Sequence, residues 1–298
     1  MSISNLPPDY RTLAGMPSRP YAFSLLALWL LAGTARAQEP PRGAVASHPP
    51  VQVRLAAEAG FFATLGNFGV FGTSPSRIDF RRAAGQDNLL FYSRWSAELD
   101  LGRRHTLVLL YQPLASAGTS VPTGDVRYAD VTFVAGAPVH TEFNFPFYRL
   151  SYLFRFVETP RFEFQAGLTG QIRNANYNYS QAGVRFARNS DVGFVPALKV
   201  RAKFTFANGV FLGLEADGIY APISVFNGST NDTVGAILDA SIRVGYNVSG
   251  RTGAFFNLRY LGGGATNADP NDYAKNWLHF LFVGIGLTYD LVPPARST

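Results

Sequence analysis

Histidine paired with a carboxylate is the arrangement in this chain best suited to moving a proton. His140 stands two residues before Glu142, and His279 follows Asp272 at a distance of seven residues. Either pair could act as an imidazole base supported by an acidic group. The other two histidines, His48 and His105, lie apart from such a partner. Cysteine is absent, which removes thiolate nucleophiles, disulfides and a cysteine-linked lipid anchor. No His or Cys spacing fits a metal site. Asp269, Asn271 and Asp272 read as a turn rather than a calcium loop. Gly262-Gly263-Gly264 ends a strand and does not form a phosphate loop. No metal and no cofactor are expected.

The elements that would position these groups are strands. Residues 161–173 alternate strictly: Phe162, Phe164, Ala166, Leu168, Gly170 and Ile172 fall on one side, and Arg161, Glu163, Gln165, Thr169, Gln171 and Arg173 on the other. Period two defines a strand with two unlike faces. The length exceeds the five or six residues common in soluble sheets and suits the roughly 9–11 residues of a tilted membrane-spanning strand. Short turns at 102–104, 158–160, 207–209 and 248–250 each join two alternating segments, as hairpins do. Longer polar connections are expected near 63–88, 116–141, 177–190, 222–233 and 262–276. Four short turns and five long loops connect ten strands, with both termini on the short-turn side. The fold class is all-β, a closed antiparallel transmembrane barrel over residues 51–291, with eight or twelve strands as the alternative counts. The facing of the third strand, 105–115, is open. In the fourth, Phe143, Phe145 and Phe147 share one phase and Leu150, Tyr152, Phe154 and Phe156 the other, which predicts a bulge near Pro146.

The N-terminus has the order of a secretory signal peptide: Arg19, an apolar run over 21–32, then Ala35-Arg36-Ala37. Cleavage after Ala37 is expected, with Met16 as an alternative start, a linker over 38–50 and a short tail over 292–298. The net charge of +6 is spread through the strands, so it does not point to nucleic acid. The mean hydropathy of +0.04 suits a barrel as well as a soluble protein, because lipid-facing and lumen-facing residues alternate.

The polar faces define a lumen. It contains Lys199, Arg201, Lys203, Arg173, Arg243 and Arg259 together with Glu163, Glu215 and Asp217, and by the same alternation Arg54, Arg94, Arg149, Arg155, Arg161, Glu58, Glu98, Asp100, Asp239 and Asp290. A barrel of this size is filled by side chains or leaves a thin wet path. Two readings follow. The charges interlock as ion pairs, because an unpaired buried charge is costly, or Lys199, Arg201 and Lys203 line a narrow anion-preferring channel. Glu215 and Asp217 on the next strand favour the former.

Gly286, Tyr289 and Leu291, at the end of the last alternating strand, resemble the C-terminal assembly signal of bacterial outer-membrane β-barrel proteins. Gly284 departs from it, standing where a polar residue is usual. The resemblance implies a Gram-negative outer-membrane location, lipid contact and recognition by the barrel-assembly machinery, with a monomeric, porin-like body. The expected role is non-enzymatic: structural, surface-binding or narrow passive transport of small solutes. The alternative is a lipid or peptide hydrolase at the extracellular rim. Omptin proteases are ten-stranded, but their adjacent acidic pair with Asp-x-His has no counterpart here. The His-x-Ser pattern of lipid A deacylases is also missing, since Phe280 and Leu281 follow His279. The Asn/Tyr-rich stretch 174–181 reads as an interfacial girdle passing into a loop or as a surface for an extracellular ligand. A soluble lipocalin-like carrier would reverse the pattern and line its cavity with the apolar face.

Overall fold

The computed structural model describes residues 50–71, 76–79, 81, 89–128, 131–182, 185–222, 233–267 and 274–291. The expected signal segment, the expected linker up to residue 49, the expected tail and Asp272 lie outside them. Fifteen strands follow in order: β1 (Val51–Phe71), β2 (Ser76–Asp79), β3 (Leu89–Leu101), β4 (His105–Gln112), β5 (Ala115–Ser120), β6 (Val126–Tyr128), β7 (Val131–Phe133), β8 (Val139–Asn144), β9 (Phe147–Glu158), β10 (Phe162–Gln181), β11 (Arg185–Thr205), β12 (Val210–Pro222), β13 (Thr233–Asn247), β14 (Thr252–Asn267) and β15 (Ala274–Asp290). Ten of them, β1, β3, β4 and β9 to β15, pair antiparallel around a ring that closes where β1 meets β15. The ten predicted strands are these ten.

The predicted short turns are hairpins. Gly102 and Gly209 sit at φ +61° and +83°, a region that a Cβ disfavours. The Asn208 side chain accepts the Val210 N–H at 3.2 Å, and Ser249 Oγ accepts the Thr252 N–H at 3.0 Å. At the seam, Arg54 faces Asp290 in register and its Nε donates to Asp290 Oδ1 at 2.8 Å. First and last strands are thus locked by a charge pair as well as by the ladder.

Three expectations are corrected. Residues 177–190 are not a long loop: β10 runs to Gln181 and β11 begins at Arg185, in continuous register. Strand also occupies much of 63–88, 116–141 and 262–276. There is no bulge at Pro146. Asn144 opposes Asn176 and Phe147 opposes Arg173, so β8 and β9 are one line along β10 without a slip, and Phe143, Phe145 and Phe147 all point inward and are buried. The register shifts lie elsewhere, between Thr64 and Gly66 and opposite Phe164 and Gln165. Arg161 sits exposed in the turn after β9, not in the lumen. The open facing of 105–115 is settled by burial of Thr106, Val108, Leu110 and Gln112, with Leu109 and Tyr111 outward.

Toward the long-loop end the wall divides. The β3–β4 ladder ends at Trp95–Tyr111, although β3 continues to pair with β1 up to Leu89. The β11–β12 ladder ends at Leu198–Gly218, two residues short of Pro196, which has no N–H to donate. Above these points β5, β8, β10 and β11 form a four-stranded extension, hydrogen-bonded among themselves. With 20 and 21 residues, β10 and β11 are about twice the length a membrane requires.

Candidate functional site

Alternation along each strand sends one face of the wall outward and one inward. Outward lie Leu109, Leu168, Phe194, Leu198, Tyr220 and Ile285, all largely exposed. Inward lie Glu58, Arg94, Arg149, Lys199, Asp217, Asp239 and Arg259, all buried. A soluble fold cannot present this surface to water, and a closed ring has no unpaired edge to present to lipid. The chain is a bacterial outer-membrane β-barrel protein. The same inversion places the ring in a lipid bilayer. The long-loop end of the barrel is then extracellular and the short-turn end periplasmic.

The interior has three layers. At the periplasmic end a cavity of about 150 Å³ is lined by Arg54, Glu98, Asp100, Arg155, Glu163, Arg201 and Lys203, among others. Arg155 pairs there with Glu163 at 2.9 Å and with Asp100 at 3.3 Å. Lys203 Nζ lies 4.8 Å from the centre of the Phe211 ring.

The middle layer is an interlocked charge network. Lys199 Nζ bridges Asp217 at 2.8 Å and Glu215 at 2.9 Å. Arg201 spans Glu215 at 2.8 Å and Glu98 at 3.0 Å. Asp239 receives Arg149 at 2.6 Å, Arg94 at 3.5 Å and Arg259 at 3.7 Å. Asp217 also accepts from Thr169 Oγ1 at 2.6 Å. Arg243 approaches Glu58 at 3.8 Å, and Glu58 accepts from Tyr92 and Asn257. The layer thus holds six cations (Arg94, Arg149, Lys199, Arg201, Arg243, Arg259) against five carboxylates (Glu58, Glu98, Glu215, Asp217, Asp239).

The outer layer is apolar. Phe62, Tyr92, Leu110, Leu114, Phe143, Phe145, Phe147, Ile237, Leu261, Phe280 and Phe282 form one buried cluster. Phe62 stacks on Phe282 at 5.1 Å, and Tyr92 meets Phe282 edge-on at 4.9 Å. The guanidiniums of Arg149, Arg173 and Arg259 cover the faces of Phe147, Phe145 and Phe282, an attraction that joins the charged and aromatic layers. Glycines give these rings room. A Cβ on Gly286 would stand 2.2 Å from the Phe255 ring, and one on Gly284 would stand 2.3 Å from Tyr92 Oη. The departure of Gly284 from the usual assembly pattern therefore has a packing reason. Tyr289 and Leu291 point outward along the same strand.

Of the predicted lumen residues, the structure brings Lys199, Arg201, Glu215, Asp217, Arg243 and Arg259 into the network, while Glu163 and Lys203 line the periplasmic cavity and Arg173 lies under Phe145. Lys199, Arg201 and Lys203 do share a face, but the first two are neutralised across strands. The aromatic layer was missed in the sequence. Its signal lay in parity: Phe62, Phe280 and Phe282 occupy the same phase as lumen-facing Glu58 and Asp290.

The described histidines, His105, His140 and His279, lie outside the lumen, and His48 falls outside the described residues. His140 Nε2 is 3.5 Å from Glu142 Oε1, and His140 Nδ1 is 3.0 Å from Thr119 Oγ1. All three residues lie on the outward face of the extension, with His140 and Glu142 half-exposed. Hydroxyl, imidazole and carboxylate thus follow in a row across the β5–β8 pair. His279 Nδ1 is 2.6 Å from Tyr260 Oη, and the pair faces outward from the wall. His105 Nδ1 meets Tyr152 Oη at 2.8 Å. Among the described residues no group of acids and histidines could hold a metal.

No protein-family model matches the sequence, and no curated protein matches it. Solved structures similar to it include the outer membrane protease OmpT from Escherichia coli, at 10% identity over 82% of this chain and 98% of that chain, with a TM-score of 0.48. The transport unit of the autotransporter AIDA-I from Escherichia coli is 9% identical over 88% and 94%, with a TM-score of 0.39. The Pseudomonas putida toluene transporter TodX is 7% identical over 81% and 90%, with a TM-score of 0.32. At such identities nothing of these proteins' activities passes to this chain.

Proposed function

We propose that this protein is a non-enzymatic barrel, closed to solutes, whose working surface is the four-stranded extension at the extracellular end. The observation that supports this reading is the filling of the lumen in two successive layers. Asp217 and Asp239 are only 2% and 3% exposed in the charged layer, and Phe62 and Phe282 are 0% exposed in the aromatic one. A solute would have to break buried ion pairs and then displace packed rings, both of which are costly. The extension offers an outer face carrying Thr119, His140, Glu142 and Asn144 for an extracellular ligand.

Planar-bilayer conductance of residues 38–298, refolded and shown to be heat-modifiable on a gel, tests the closed lumen. A folded protein that produces no current steps is the expected result. Discrete steps abolished by Lys199→Gln would replace this reading with an anion channel.

A second reading, a rim hydrolase, is favoured by the Thr119–His140–Glu142 row alone. It predicts hydrolysis of a lipid or peptide ester that disappears in His140→Ala. The half-exposure of His140 and Glu142 favours the binding role, since catalytic pairs sit in water-excluding clefts.

A further inference from the structure

Arg259 is the largest fully buried side chain of the described residues, at 1% exposure. None of its three guanidinium nitrogens has a hydrogen-bond partner among them. Its nearest carboxylate, on Asp239, is 3.7 Å from Nε, beyond hydrogen-bond range. Such groups are rare in folded proteins and call for an explanation.

Around Asp239 the network repeats the same deficit on the donor side. Arg149 gives Nη1 to Asp239 and Nε to Gln171 Oε1, leaving Nη2 without an acceptor. Gln171 Nε2 is then also unpartnered, and so is Gln112 Nε2, whose Oε1 is taken by Arg94. Arg94, Arg149 and Arg259 converge on one Asp239 carboxylate. These donors therefore share one neighbourhood, inside a layer that carries one more cation than carboxylates. The unpartnered acceptors of the layer, Glu58 Oε2 and Asn257 Oδ1, belong to the Glu58 side.

From this geometry we infer a binding site for one small monovalent anion, of halide size, beside Arg259 in the middle of the lumen. A single negative charge would neutralise the layer and accept from donors that are otherwise unsatisfied. The Phe282 ring covers the face of the guanidinium, 4.2 Å from its carbon, so the ion would meet the N–H groups at the guanidinium edge. The inference does not depend on the role of the extracellular extension.

The test is thermal unfolding of the refolded barrel in sodium chloride and in sodium gluconate at equal ionic strength, read by heat-modifiability. Chloride is expected to raise the midpoint by roughly 5–10 °C at a hundredfold excess over its dissociation constant, as ligand linkage requires for a domain of this size. Arg259→Gln should abolish the difference, whereas Arg103→Gln at the periplasmic turn should preserve it. Equal midpoints for the wild type in the two salts would overturn the site. A difference that survives Arg259→Gln would overturn its placement. Because Arg259→Gln could fail to fold, anomalous diffraction from wild-type crystals grown in sodium bromide provides an independent measurement. A bromide peak beside Arg259 supports the inference. Density there without an anomalous signal means water alone fills the space, and overturns it.

Discussion

At the scale of single residues, Asp239 and Phe282 hold the lumen for different reasons. Asp239 is the carboxylate shared by Arg94, Arg149 and Arg259. Removing its charge takes from Arg259 its one ion pair among the described residues and leaves Arg94 and Arg149 only Glu215 and Asp217 at 3.5 Å. Asp239→Asn is expected to lower the free energy of unfolding by about 3–5 kcal/mol, as breaking a buried pair does, read from urea unfolding in lipid followed by tryptophan fluorescence. The Arg103–Glu158 pair at 3.4 Å, with Arg103 side chain 56% exposed, is the contrast. Arg103→Gln should cost about 0–1 kcal/mol in the same assay, the range of surface ion pairs. Phe282 acts through packing and cation–π contact instead. Phe282→Ala should cost about 3–5 kcal/mol through the cavity it leaves. If Asp239→Asn and Arg103→Gln proved equal in effect, the network would not be holding the lumen.

Elements explain why the wall divides where it does. Pro196 lies just beyond the last β11–β12 pair, at Leu198–Gly218, and removes a ladder donor where a membrane wall would need one. The extension above it is held by β10, which pairs with β8 and β11 at once. The barrel ring, by contrast, is complete without residues 176–190, because Arg173–Gly193 and the pairs below them stay in register. Replacing 176–190 with a two-residue turn is therefore expected to leave a folded, heat-modifiable barrel. Failure of this variant to fold would make the extension part of the barrel's own stability. The strands and their four short turns were legible in the sequence because alternation over ten or more residues is a strong signal and glycine or proline marks the turns. The length of β10 and β11 was hidden because Asn174 to Gln181 holds no Val, Leu, Ile or Phe, and a strand outside the membrane keeps pairing without a lipid-facing apolar side. The missing bulge at Pro146 has the opposite cause. An apolar run read as lipid-facing was apolar on the lumen side, where aromatic residues are not expected from the polar-lumen rule.

For the whole molecule, the inverted surface makes a direct prediction. Trp95 points outward on β3 and is 37% exposed. Its fluorescence should be quenched by bromines on the acyl chains of reconstituted vesicles, and Trp95→Phe should remove most of that quenching. Fluorescence indifferent to brominated chains would place the barrel outside the lipid. What the sequence by itself determined was the class of object: ten strands, their order, most of the charged inward set, and the membrane as solvent. These follow from local rules, period two and turn chemistry, which need no knowledge of partners. Tertiary structure decided what the inside does. Whether Lys199 and Arg201 line a path or close it depends on Glu215, Asp217 and Glu98 arriving from other strands. Whether phenylalanines face lipid or each other depends on where β8, β1 and β15 meet across the lumen. Those pairings are set by register around the closed ring, a distance no single segment of sequence encodes.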